Sequence, residues 1–134
     1  MLDKELLQFA IEARKQSYSP YSNFRVGAAL LTKSAKVYGG CNIENASFGL
    51  TNCAERTAVF KAVSDGEREF ESIAIASNGS FPYPCGACRQ VILETEKRFG
   101  NTIRIILYGA KQCYIIEDGI KALLPLSFDS AFLE

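Results

Sequence analysis

Three cysteines in two short segments have the residue type and spacing of a metal site. Cys85 and Cys88 are three positions apart, so on a helix both thiols face one side and can bind one ion. Cys53 stands at a predicted helix start, where the helix dipole favours the thiolate form that binds metals. Zinc held by three protein ligands keeps a fourth position for water, as in catalytic sites. The sequence therefore predicts one Zn²⁺ bound by Cys53, Cys85 and Cys88.

The neighbours of these cysteines suit proton transfer and charge balance. Glu55 follows Cys53 by two residues, and a carboxylate close to zinc can accept a proton from water and pass it on. Three thiolates and Zn²⁺ together carry one net negative charge, which opposes the acidification of water at the metal. Arg56 and Arg89, which stand beside Glu55 and Cys88, can donate hydrogen bonds to the sulfurs and offset that charge.

Two further cysteines leave an alternative open. Cys41 or Cys113 could close the zinc shell as a fourth ligand, which would make the chain a structural zinc module that serves as a binding partner. We interpret both as small buried apolar residues, as free cysteines usually are. The chain has no histidine, which excludes imidazole ligands and Ser-His or Cys-His nucleophiles.

Apolar periodicity and turn residues predict a layered α/β domain. Strands that follow an opening helix as a hairpin, and then alternate with helices, favour a three-layer α/β/α sandwich around one mixed sheet of about five strands. The predicted elements are a helix over 3–17 capped by Asp3, strands over 25–32 and 36–42, a helix over 53–64, a strand over 71–77, a loop over 78–84, a helix over 86–99, and strands over 102–108 and 113–117.

Composition limits the classes of function. The chain has 134 residues, 48% of them hydrophobic, which predicts a single domain over 1–134. Lys and Arg number 15, as do Asp and Glu, so no basic surplus favours binding to nucleic acid. No apolar run approaches the length of a membrane span, and the N-terminal segment lacks the pattern of a signal peptide. We therefore expect a cytoplasmic protein that contacts neither membranes nor nucleic acid.

The motifs C-A-E, P-C-G-A-C-R-Q, G-C-N-I-E-N-A and L-L-P-x-S-F together resemble the homotetrameric three-cysteine cytidine deaminases along essentially the whole chain. The resemblance implies the fold of that family, one Zn²⁺ per subunit and a homotetramer with shared active sites. It also implies hydrolytic deamination of free cytidine and 2'-deoxycytidine, with release of ammonia, in pyrimidine salvage. Within the resemblance Glu55 is the proton shuttle.

The resemblance also assigns substrate contacts. Asn42 and Glu44, two apart on an extended strand, point to one side and can bind a free 3'-hydroxyl; the family's matching pair holds the ribose and base. Phe24 resembles the aromatic that lines the pyrimidine site, and Phe128 the one from a neighbouring subunit. Phe48 stands where relatives commonly have a tyrosine, whose hydroxyl is expected to help bind the sugar across a subunit boundary.

The groups that bind the base and the class of substrate follow from the helix starts and the zinc motifs. Backbone groups near Ala54 and Cys85 are expected to hold the edge of the base, because helix starts offer free N–H donors. The zinc motifs alone are shared by enzymes that act on nucleosides and on polynucleotides, so a polynucleotide or blasticidin-type deaminase is the alternative. Blasticidin-type enzymes are not expected to share C-N-I-E-N-A, and the histidine-ligated branches do not fit a chain without histidine.

Overall fold

A five-stranded mixed sheet forms the centre of the fold, in a computed structural model that describes residues 1–133. The elements are α1 (Asp3–Ala13), β1 (Val26–Thr32), β2 (Val37–Cys41), α2 (Ala54–Ser64), β3 (Phe70–Ser77), α3 (Gly86–Phe99), β4 (Arg104–Gly109) and β5 (Gln112–Ile116). The strand order is β2-β1-β3-β4-β5. Only the β3–β4 pair is parallel, and β1 with β2 forms the predicted antiparallel hairpin.

Helices cover both faces of the sheet. On one face Leu6 and Ala10 of α1 pack against Ala29, Ala74 and Ile106. On the other face α2 and α3 contribute a larger core with the opposite sides of the same strands. The alternation along each strand sends successive side chains to the two layers, so the central strands are apolar throughout. The predicted three-layer α/β/α sandwich is confirmed.

A glycine lets α2 lie directly on β2. A Cβ added at Gly40 would stand 2.5 Å from the carbonyl oxygen of Ala54 and 2.6 Å from the backbone nitrogen of Ala58. Only a residue without a side chain fits this separation. This close contact sets the distance between the first turn of α2 and the sheet.

A half-buried carboxylate holds the end of α3 in place. One oxygen of Glu96 accepts hydrogen bonds from the backbone N–H of Ile103, at 2.8 Å, and of Ile120, at 3.2 Å. Gly100 ends the helix in the left-handed conformation, with φ 86°, as glycine does at many helix ends. The predicted span of α3 is confirmed.

The first helix differs from the prediction. Leu2, not Asp3, occupies the N-cap position, and its N–H donates to the carboxylate of Glu5. Asp3 is the first helical residue, and its carboxylate pairs with Arg104 on β4. The α-helix stops at Ala13 and a 3-10 turn continues to Gln16. Within residues 1–133, no helix has the length and apolar character that crossing a bilayer requires.

Candidate active site

The starts of α2 and α3 bring three thiols together. Cys53 and Cys85 are the N-cap residues of these helices, both with extended backbone, and Cys88 lies in the first turn of α3. The Cys88 backbone N–H donates to the Cys85 Sγ at 3.4 Å. The Sγ atoms of Cys53 and Cys85 are 3.6 Å apart, and all three sulfurs lie within 4.8 Å of one another. Two helix N-termini therefore direct their positive ends at one cluster of sulfur.

The sulfur cluster fits zinc. Tetrahedral zinc with Zn–S bonds of about 2.3 Å places its sulfur ligands roughly 3.8 Å apart, close to the 3.6 Å between Cys53 and Cys85. Thiolates are among the preferred zinc ligands. Among residues 1–133 this is the one group of three or more cysteine or acidic side chains that converges on a point. Cys41 and Cys113 lie outside it.

Arg56 supplies positive charge to the cluster. Its Nη2 donates to the Cys53 Sγ at 3.2 Å. The hydrogen bond from the Cys88 thiol, and to a smaller extent the one from Arg56, lowers the pKa of Cys53 to about 5. The same hydrogen bond between Cys53 and Cys88 raises the pKa of Cys88. The cluster thus holds negative charge on Cys53 beside a guanidinium. Contact with the thiolate in turn raises the pKa of Arg56.

Glu55 is buried next to the sulfurs. Its side chain is 5% exposed, although Glu is rarely buried without a partner. Burial raises the pKa of its carboxyl to about 7, and the charge of Cys53 adds to the rise. A proton carrier works best when its pKa lies near the working pH. The position of Glu55 in the first turn of α2 therefore gives the site a side chain able to accept and return protons.

A cavity of about 200 Å³ opens in front of this cluster. Cys53, Ala54 and Glu55 form the wall at the start of α2, and Cys85 belongs to the wall at the start of α3. The other lining residues are Phe24, Val26, Asn42, Thr51, Pro82 and Tyr83. The cavity therefore joins an acid–base group, a metal-binding cluster and an apolar wall in one space.

Comparison with known proteins decides the family. The family model of the cytidine and deoxycytidylate deaminase zinc-binding region matches residues 1–100. The chain belongs to the cytidine deaminase family. It is 55% identical over 126 residues to a cytidine deaminase of Sporosarcina psychrophila, covering 93% of this chain and 90% of that protein.

A solved structure and a more distant relative also match nearly the whole chain. The crystal structure of a cytidine deaminase from Burkholderia pseudomallei superposes with a TM-score of 0.87 at 45% identity, covering 96% of this chain and 100% of that one. A blasticidin-S deaminase of Bacillus cereus is 32% identical over 138 residues, covering 94% of this chain and 91% of that protein. The predicted cytidine deaminase-like fold and the predicted Zn²⁺ are confirmed.

Two predictions about individual cysteines and arginines need correction. Cys113 is exposed and Cys41 is half-buried, so neither is the fully buried residue that we expected. Cys113 lies on β5, an edge strand that is exposed along most of its length. Arg89 does not reach the sulfurs: its Nε donates to the Pro84 carbonyl at 2.7 Å and its Nη1 to the Leu123 carbonyl at 2.6 Å. It fastens the loop before α3 to the C-terminal segment.

Asn42 and Glu44 both contact the segment that leads into β1. The Asn42 Oδ1 accepts from the Val26 N–H at 3.0 Å, and its Nδ2 donates to the Phe24 carbonyl at 2.8 Å. The Glu44 carboxylate accepts from the N–H groups of Tyr21 and Ser22 at 3.0 and 3.2 Å. Asn42 lines the cavity but Glu44 does not. β2 ends at Cys41, so the pair follows the strand instead of belonging to it.

Two predicted aromatic contacts lie away from the cavity of their own chain. Phe48 is 83% exposed, on a short 3-10 turn. Phe128 lies beside the outer face of α3, where its carbonyl accepts from Gln90 at 2.9 Å. A single chain therefore does not bring either ring to Glu55.

Four cavity residues were not predicted from the sequence: Val26, Thr51, Pro82 and Tyr83. Val26 begins β1 and Thr51 precedes α2, and nothing in their local sequence marks them. Tyr83 carried a signal, because it is an aromatic residue between two prolines and stands two positions before Cys85.

Proposed function

We infer that this chain catalyses the hydrolytic deamination of cytidine and 2'-deoxycytidine to uridine and 2'-deoxyuridine, releasing ammonia. The observation that carries the inference is a cluster of three thiols beside a cavity that buried Glu55 also lines, in a chain of the cytidine deaminase family. The reaction consumes one water and replaces the 4-amino group of the base with oxygen.

Proton transfer by Glu55 is the central step. Zinc, when bound by Cys53, Cys85 and Cys88, lowers the pKa of water so that hydroxide is available near neutral pH. Glu55 accepts the proton that this water loses and delivers it to N3 of the cytosine ring. The water oxygen adds to C4, and Glu55 then carries its remaining proton to the amino group. The bond between C4 and that nitrogen breaks, and ammonia leaves. A carboxyl whose pKa burial raises to about 7 can both accept and return a proton in this range.

Arg56 and the helix starts support this chemistry. The guanidinium of Arg56 offsets the charge of the thiolates through its contact with Cys53. Backbone N–H groups at Ala54 and Cys85 stand at helix starts, where N–H donors are not used within the helix. We assign them to the polar edge of the base.

The sugar end of the substrate is assigned to Asn42 and Glu44. One N–H of the Asn42 amide donates to Phe24, which leaves the second N–H for a hydroxyl oxygen of the ligand. The Glu44 carboxylate is held by the 21–22 turn and can accept from a sugar hydroxyl. A carboxylate at this end repels a 3'-phosphate, which favours a free nucleoside over a polynucleotide. Phe24 packs against the base.

We assign the chain, as one domain over 1–134, to a homotetramer with shared active sites. The cavity of one chain is about 200 Å³, below the roughly 300–1,000 Å³ of typical ligand sites. Phe48 and Phe128 are 83% and 59% exposed, and Leu126 is fully exposed, so apolar side chains are available for contact between subunits. Phe48 and Phe128 then complete the site of a neighbouring copy. A reducing compartment such as the cytoplasm keeps the zinc-binding thiols available.

The activity is tested by offering three substrates in parallel. Zinc-loaded protein is incubated with cytidine, blasticidin S and a short cytosine-containing oligonucleotide, and the ultraviolet change and ammonia release are followed. We expect turnover of cytidine and none of the oligonucleotide. Preferred turnover of blasticidin S would replace the proposal with the antibiotic-directed function of the more distant relative.

Subunit number is tested separately. Light scattering coupled to size-exclusion chromatography should give the mass of four chains. Phe128→Ala should raise KM for cytidine while the zinc content stays constant, because the ring contacts the substrate of another subunit. A monomer with full activity would exclude shared sites.

A further inference from the structure

Tyr83 occupies a rigid position in the wall of the cavity. It stands between Pro82 and Pro84, which are buried, while its own side chain is 53% exposed. A residue before proline is restricted to extended conformations, and each proline fixes its own φ. The Pro84 carbonyl is held in addition by the Nε of Arg89 at 2.7 Å. The backbone that carries the Tyr83 ring is therefore fixed on both sides.

The ring itself is also supported. It packs against Phe81, with ring centroids 6.0 Å apart, in the range of aromatic pairs. An exposed, rigid aromatic ring that lines a cavity with Glu55 and Cys85 is suited to contact with a ligand.

The walls of the cavity determine which part of a pyrimidine meets this ring. The carbon that loses the amino group must lie at the sulfur cluster. Its ring neighbour N3 must face Glu55, on the α2 wall, to receive a proton. The sugar end extends toward Asn42. This leaves the remaining neighbour, C5, to the 82–85 segment, which contributes Pro82, Tyr83 and Cys85 to the cavity lining.

We propose that Tyr83 is a specificity-determining residue whose ring limits the size of the substituent at C5 of the pyrimidine. The proposal rests on the proposed function, because it orients cytidine by the proton transfer assigned to Glu55. It extends that function by setting which cytosine nucleosides the site accepts. Cytidine and substituents at C5 that are smaller than a methyl group fit, whereas a C5 methyl group contacts the ring.

The experiment compares cytidine with 5-methylcytidine. For wild-type protein we expect kcat/KM for 5-methylcytidine to be about tenfold or more below that for cytidine, the scale of discrimination that one methyl group gives in a tight pocket. Tyr83→Ala should remove most of this difference, so that the ratio of the two kcat/KM values rises by about tenfold. Tyr83→Phe keeps the ring and should leave the ratio within about twofold.

Tyr114→Ala is the matched control, because Tyr114 is 54% exposed on β5 and does not line the cavity. Circular dichroism and zinc content are measured for every variant, and Tyr83→Leu replaces the alanine variant if that fails to fold. An unchanged ratio in the folded small-residue variant, or the same change in Tyr114→Ala, would overturn the proposal. Absence of cytidine turnover in wild type would instead refute the proposed function.

Discussion

Glutamine at position 55 separates proton transfer from every other property of the site. The amide has nearly the size of the carboxylate and fills the same space, since the Glu55 side chain is 5% exposed. It cannot accept and return a proton at neutral pH. The variant should therefore fold and keep zinc on Cys53, Cys85 and Cys88, and lose the step that Glu55 carries out.

The size of the loss follows from the role. A positioned acid–base group contributes about 10²- to 10⁴-fold to a rate, which corresponds to roughly 3–5 kcal/mol of activation free energy. Glu55 acts twice in one cycle, on addition of water and on departure of ammonia. We therefore expect kcat to fall by about 10³-fold or more. KM should change by less than about threefold, because the substrate contacts remain.

The assay follows the ultraviolet change from cytidine to uridine under saturating substrate, with ammonia measured independently. Zinc per chain and the unfolding midpoint are determined on the same preparation. Glu71→Gln is the control, since Glu71 is an exposed residue of β3. If Glu55→Gln retains kcat within about tenfold of wild type while holding zinc, the role assigned to Glu55 is wrong.

Three further changes test the supports of the site. Glu96→Ala leaves two backbone N–H groups without an acceptor. It should lower the free energy of unfolding, measured in urea, by about 2–4 kcal/mol. Glu96→Gln keeps an acceptor oxygen and should recover most of this stability. Because burial raises the pKa of Glu96, folding favours its protonated form. The free energy of unfolding of the wild type should therefore decline as the pH rises through that pKa, and the glutamine variant should lack this decline. In Gly40→Ala the added Cβ would clash with the backbone of α2. The free energy of unfolding, measured by thermal unfolding, should fall by about 1–3 kcal/mol. Arg56→Gln should weaken zinc affinity about 10- to 100-fold in chelator competition.

The parts of the fold that depend on local sequence were predictable. The α3 span was correct to the residue because a proline-bearing loop precedes it and Gly100 ends it. The zinc ligands were identified for the same reason: Cys53, Cys85 and Cys88 stand at helix starts that local sequence marks. Helix capping, turn formation and short residue spacing each depend on a few neighbouring positions, so they can be predicted from a single sequence.

The wrong predictions involve partners far away in the chain. Asp3 was predicted to cap α1, but its carboxylate pairs with Arg104, about a hundred residues later. Arg89 was assigned to the sulfurs because it follows Cys88, yet its guanidinium binds the carbonyl of Leu123. The exposure of Cys113 depends on which strand lies at the edge of the sheet. None of these partners can be read from neighbouring residues.

Sheet topology explains why two distant motifs form one site. β2 and β3 are both antiparallel to β1, so they run in the same direction. The segment after β2 leads to α2, and the segment after β3 leads to α3, so both helices start from the same end of the sheet. Cys53 and Cys85 are therefore brought together by the pairing of β1 with β3, which the predicted hairpin did not include. The motifs identify the ligands, and the strand order brings them within bonding distance of one ion.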